Sequence, residues 1–281
     1  MTLLARVAGL APALLAALPA AAPAPHQHEP HDENLGRVAF ATSCRGEAQR
    51  RLERGVAYLH SFWYEKAGDA FKAALVADSG CAMGYWGTAM AMLHPLWTPP
   101  GPVELGAGLA AADRGLGLAR TPRETDYLSA IRAYYADYPR LDWRTRLGRY
   151  AEAMEGVRSR NRQDREASIF YALALIAVGQ ANPTDTTFAN QKRAHAILEP
   201  LFKAEPRHPG LAHYLIHTND SPPLASLGLY AARRYALIAP DVPHALHMPS
   251  HIFIGWASGT RPSPPTSGRP NRRAPSSSSG G

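Results

Sequence analysis

The chain reads as an all-α protein, and three observations point to it. Apolar residues recur at helical spacing through residues 36–254. No stretch alternates apolar and polar residues over a useful length, so no sheet is expected. Like residues also return at an interval of 34: Pro206 and Pro240, His213 and His247, His217 and His251, His60 and His94. That interval is the length of one helix–turn–helix unit, and such units stack into an α-solenoid.

The ends differ from this body. The opening "MTLLARVAGLAPALLAALPAAAPAPHQHEP" has one Arg, then an apolar stretch too short to span a bilayer. Small-residue A-x-A patterns close it at Ala20–Ala22 and Ala22–Ala24. This predicts a signal peptide over residues 1–24 and export to a periplasm or beyond. Residues 25–35, with "HQHEPH", read as a flexible His-rich linker. The formal charge of +7 looks like a nucleic-acid signal. However, Arg6, Arg261, Arg269, Arg272 and Arg273 lie in the two ends, and residues 255–281 hold no acid. The middle is nearly neutral and has no Lys/Arg stripe interleaved with aromatics, which argues against nucleic acid as a partner. No later segment approaches a membrane span.

Residues 54–78, "RGVAYLHSFWYEKAGDAFKAALVAD", hold Gly55 and Tyr58 on a first helix, then Ala67, Phe71 and Ala74 on a second. Small residues suit places where two helices nearly touch, and aromatics fill the gaps beside them. These spacings resemble the tetratricopeptide signature, with Ser79 where the family usually has Pro and with Arg54 and Arg51 replacing its Leu and Trp. Residues 36–254 resemble exported bacterial tetratricopeptide-repeat proteins through "LHSFWYEKA", "AMGYWGTAMAMLHPLW", "HPGLAHYLIH" and "HALHMPSHIF". The resemblance implies a right-handed α-solenoid whose first helices line a concave surface. It implies no reaction.

Further along, "TPRETDYLSAIRAYYADYP" begins with Thr121, Pro122 and Glu124, a capping box with Pro in the first turn. Tyr127, Ile131, Tyr134 and Tyr138 follow at helical spacing. "DWRTRLGRYAEAMEGV" and "DREASIFYALALIAVG" are two more helices, and "QANPTDTTFANQ" reads as an insertion between the helices of one unit. Pro206 and Pro240 each close a helix, since Pro cannot donate the next backbone bond. "GAGLAA" resembles part of a dinucleotide loop, but no strand precedes it, so it reads as helix packing.

Cys44 and Cys81 are the two cysteines. Composition leaves pairing and two buried thiols both open. In a solenoid they fall near the starts of successive first helices, and a disulfide is the expectation. Residues 255–281 read as a disordered Pro/Ser/Gly tail. Written in GC-rich codons and shifted by two bases, the start of that tail becomes LGLWDEAIAANQRAA, the turn and second helix of a further unit. The expectation is a chain frameshifted and truncated after residue 254, with its last helix, near 244–254, frayed.

The two HxxxH pairs are the chemistry-bearing motif. Histidines four apart share a helix face. In their units His213 and His217, like His247 and His251, occupy the fifth and ninth positions, off the packing stripe and toward the concave surface. His244 lies three before His247. Neutral imidazole is a good ligand for Zn²⁺ or Cu²⁺, and HxxxH is a ligand spacing on helices. The expected metal cluster is His213, His217, His247 and His251 with His244, with affinity falling as pH drops through about 6.5. The motifs lack the Glu of HExxH, and no nucleophile elbow, phosphate loop or catalytic carboxylate pair is found, so no reaction is assigned. Asp220 and Asp241 read as ligands or helix-end residues. The first functional expectation is a scaffold holding a peptide or protein partner in an aromatic, His-rich groove that includes His60, Trp86 and His94. The second is a metal-binding solenoid, with or without catalysis.

Overall fold

The computed structural model describes residues 33–259. The expected signal peptide, residues 25–32 of the linker and residues 260–281 of the tail lie outside them. Contacts divide the chain between Glu33 and Asn34, and of the first unit only Glu33 is among the described residues.

The described part of the second unit is all-helical: α1 (Gly46–His60), α2 (Tyr64–Ala77), α3 (Ala82–Leu93), α4 (Pro102–Leu116), α5 (Pro122–Tyr135), α6 (Trp143–Arg160), α7 (Arg165–Gln180), α8 (Ala189–Ala204), α9 (Pro209–Asn219), α10 (Ala225–Ile238), α11 (Pro243–His247) and α12 (Pro249–Gly259). Local chemistry explains several starts. The Asp142 carboxylate accepts the Arg144 and Thr145 amides, Asp164 accepts from Ala167, and Thr121 Oγ1 accepts from Glu124. Such caps satisfy amides that have no partner within the helix. At the box expected at Thr121, the Thr121 side chain accepts the Glu124 amide. The Glu124 carboxylate takes the Arg120 amide at 2.9 Å and the Ser43 amide at 2.7 Å as its main partners.

Each helix packs on the next in sequence. Several alternate helices also touch one another: α1 meets α3, α3 meets α5, α7 meets α9, and α9 returns to α1. They form the inner layer, which is why α7 and α9 are apolar and buried almost all round. Phe71 of α2 wedges between Gly55 of α1 and Gly87 of α3, where a Cβ on either glycine would overlap its ring.

The extended residues 34–44 run across this inner layer rather than leading away from it. Asn34 N donates to Asp241, Arg37 N donates to the Arg207 carbonyl, and Leu35 is buried. The body therefore begins at Asn34, two residues inside the expected linker. Phe40 is fully buried, stacked 5.0 Å from Trp86 and edge-on to Tyr127 and Phe170. This corrects the expected groove: Trp86 has no exposed surface, because the chain's own Phe40 covers it.

The last helix also differs from expectation. The segment near 244–254 is two helices, α11 and α12, meeting at Pro249, which cannot donate the backbone bond a continuous helix needs there. α12 continues past residue 254 to Gly259, held by Ile252, which is fully buried against Gly228 of α10.

A disulfide joins Cys44 to Cys81, fixing the inner segment to the start of α3 with the Cα atoms 4.9 Å apart. It closes a loop with a sequence separation of 37. Reducing it, or replacing both cysteines by Ser, is expected to cost about 2–4 kcal/mol. Denaturant unfolding with and without reductant checks this; a cost under about 0.5 kcal/mol, the size of an ordinary surface change, would contradict it.

Candidate metal centre

α9 carries the first histidine pair. His208 caps its start by accepting the Leu211 amide through Nδ1, and Pro209 fills the first turn. The next residue, Gly210, leaves room for the His60 ring, which a Cβ there would overlap. His213 and His217 then stack on one face, with their Nε2 atoms 3.1 Å apart. His244, from α11, completes a group in which one potential ligand atom from each of the three residues lies within 4.8 Å of the others. Phe62, at the corner between α1 and α2, roofs the group with its ring 4.4 Å from His213, 5.3 Å from His217 and 5.9 Å from His244. Tyr235 stacks under His213 at 4.9 Å, and Trp97 closes on His244 at 5.7 Å.

The hydrogen bonds fix which nitrogens are free. His213 Nδ1 lies 2.7 Å from the His60 carbonyl, which can only accept, so Nδ1 carries the proton. In the neutral ring Nε2 is then a lone pair aimed at His217. His244 Nε2 is buried and has no hydrogen-bond partner. A buried polar nitrogen left without a partner is costly, and a metal ion would satisfy it.

Burial, followed by the like charges His217 and His244 would carry, pushes His213 well below the ordinary imidazole range. Burial first, then His244 and His251, pulls His217 down to about 3. Burial first, then His247 and His251, pulls His244 down to about 4. All three are neutral near pH 7, the form that ligates metal. Protons thus compete with metal only well below pH 6.5, and the expected loss of affinity through about 6.5 moves to lower pH at these three residues.

The second histidine pair does not join this group. His247 and His251 face each other, with Nε2 atoms 2.9 Å apart, and His251 Nδ1 lies 2.8 Å from Asp220 Oδ2. The expected cluster of four is thus two pairs, with His244 placed beside the first. The α11–α12 junction between His247 and His251 gives the second pair a different path from the single helix that carries the first.

The two remaining groove residues are also placed elsewhere. His60 is fully buried. Its Nε2 donates to Glu166 Oε2 at 2.9 Å, and its Nδ1 accepts the Tyr214 hydroxyl at 3.0 Å. His208 Nε2 donates to the other carboxylate oxygen, also at 2.9 Å. Burial pushes the Glu166 carboxyl up, but the two imidazoles outweigh it and hold it below the usual range. His60 is lowered by burial, against the raising effect of Glu166. These three residues have the composition of a metal site. Every ring nitrogen already has a partner, however, so the group is a satisfied polar network. His94 ends α3 with a left-handed backbone (φ 44°) and packs half-buried on Tyr64 at 4.4 Å. It shares a 34-residue spacing with His60 but no environment.

Sequence reasoning did not single out Glu166, His208, Tyr214 or Phe62. An acid in a first helical turn and a His before Pro are ordinary helix-start features, and no spacing marked them as partners. In comparisons with known proteins, no family model matches the chain and no curated protein matches it.

The depressed histidines set a pH dependence for the metal-free protein. Their folded values lie below the unfolded value of about 6.5. The stability they contribute is therefore complete above that value and is lost as pH falls toward about 3 to 4. Glu166, also depressed, adds a further loss below its own unfolded value of about 4.3. The melting temperature of chelator-treated protein is expected to fall between pH 7 and pH 5, and less steeply in His217→Ala. A flat profile over that interval would contradict the assignment.

Proposed function

We propose that this protein binds a divalent transition metal, Zn²⁺ first and Cu²⁺ second, through His213, His217 and His244. The observation that carries this reading is the grouping of one potential ligand atom from each of three neutral histidines within 4.8 Å of one another, together with a buried His244 Nε2 that has no hydrogen-bond partner. Three nitrogen ligands leave a fourth tetrahedral position for water or a substrate atom. The His60 carbonyl on His213 Nδ1 is the outer contact that orients a ligating ring, and the Phe62, Tyr235 and Trp97 rings supply a low-dielectric wall.

The scaffold of this proposal is a tetratricopeptide-like array. Its support is the tight approach of α1, α2 and α3 around Gly55, Gly87 and Phe71 and the packing of successive helices. Export is supported by the Cys44–Cys81 disulfide, a bond that persists in oxidising compartments. No helix among the described residues is long and apolar enough to cross a membrane. A peptide-binding groove has less support, because Trp86 and His60 are in the core.

The test uses the full chain with His26, His28 and His31 replaced by Ala, so that the N-terminal tract contributes no binding. After equilibrium dialysis against Zn²⁺, His217→Ala/His244→Ala is expected to hold one fewer bound ion per chain than its parent. Equal zinc content in the two would refute the proposal, provided circular dichroism shows both folded.

A further inference from the structure

The second histidine pair repeats the arrangement of the first. His251 Nδ1 faces a carboxylate oxygen of Asp220, so that nitrogen carries the proton and Nε2 is a lone pair. That lone pair points at His247 Nε2, 2.9 Å away, as His213 Nε2 points at His217 Nε2, 3.1 Å away. Two imidazole nitrogens at this separation need something between them: a proton on the second ring, or a cation bound by both. A tetrahedral ion with Zn–N bonds of about 2.0–2.1 Å places its nitrogens about 3.3 Å apart, close to both spacings. A carboxylate on the far nitrogen of a ligating His is the usual device that fixes the ring and raises its basicity.

From this geometry we infer that His247 and His251 form a second metal position, with Asp220 as its positioning residue, so that the centre holds two divalent ions. The inference extends the proposed single ion. The two positions differ in access. His213 has no exposed surface, whereas His247 is exposed and the His251 side chain is 35% exposed. Two protein ligands leave the rest of the second ion's shell to water. The second ion is therefore the weaker and faster to exchange, and the one that meets solutes. His244 is on the same short helix as His247, with ring centroids 6.1 Å apart, and links the two positions.

The experiment measures zinc per chain after dialysis in the full chain with His26, His28 and His31 replaced by Ala. Two ions are expected in the parent. One is expected in His247→Ala/His251→Ala, and one, at the second position, in His217→Ala/His244→Ala. Asp220→Ala keeps both histidines and is expected to weaken only the second ion, by about 10–100-fold. A chelator should remove one ion from the parent before the other. A parent holding one ion, unchanged by His247→Ala/His251→Ala, overturns the second position and leaves the first standing. A parent holding one ion, with none left in either double variant, means a single shared ion and overturns the inference as well. No bound zinc in the folded parent removes both readings. Should His247→Ala/His251→Ala fail to fold, Asp220→Ala decides: an unchanged affinity for the weaker ion counts against the second position.

Discussion

The Glu166 carboxylate, buried between the imidazoles of His60 and His208, is the contact on which the rest of the molecule depends. It lies in the first turn of α7 and reaches the end of α1 and the start of α9, helices far apart in sequence. An ionised carboxylate out of water costs several kcal/mol unless hydrogen bonds replace its hydration. Here two ring N–H groups do so, each with its other nitrogen engaged by Tyr214 or Leu211. Because every atom in the set has one compatible role, the arrangement closes the inner layer in a single geometry.

That geometry is handed on to the metal centre through one backbone group. His60 sits beside Glu166 through its ring and beside His213 through its carbonyl. The carbonyl forces the proton of His213 onto Nδ1, which exposes Nε2 as a lone pair. The opposite tautomer is set at His60 and His208, whose Nε2 atoms must donate to the carboxylate. Neighbouring histidines are thus divided into hydrogen-bond donors and free lone pairs by what lies behind them, and in the proposed function only the second class ligates metal.

The helical class was legible because apolar periodicity and Asp or Thr caps are local properties. The first HxxxH pair was legible for the same reason: spacing on one helix decides which side chains share a face. The fate of Trp86 and His60 was not local. Their position pointed them at the inner surface, but Trp86 is covered by Phe40, brought over it by residues 34–44 and tied down by Cys44, and His60 is enclosed by Phe170, His208 and Tyr214 from distant helices. The grouping of the histidines failed for a related reason. Equal spacing predicted equal placement, whereas Pro249 splits the second HxxxH across two helices and leaves His244 as the third member of the first group. Glu166 carried no signal, since its partners lie 106 and 42 residues away.

The most direct test of this division is the ¹⁵N spectrum of the histidine side chains in the folded full chain, recorded without metal and with Zn²⁺. The account predicts Nδ1–H rings at His213 and His251 and Nε2–H rings at His60 and His208 before metal is added. On adding Zn²⁺, the Nε2 resonances of His213 and His217 should move, while those of His60 and His208 stay in place. Zinc-induced shifts at His60 and His208, with His213 and His217 unmoved, would put the ion on Glu166 and contradict the account.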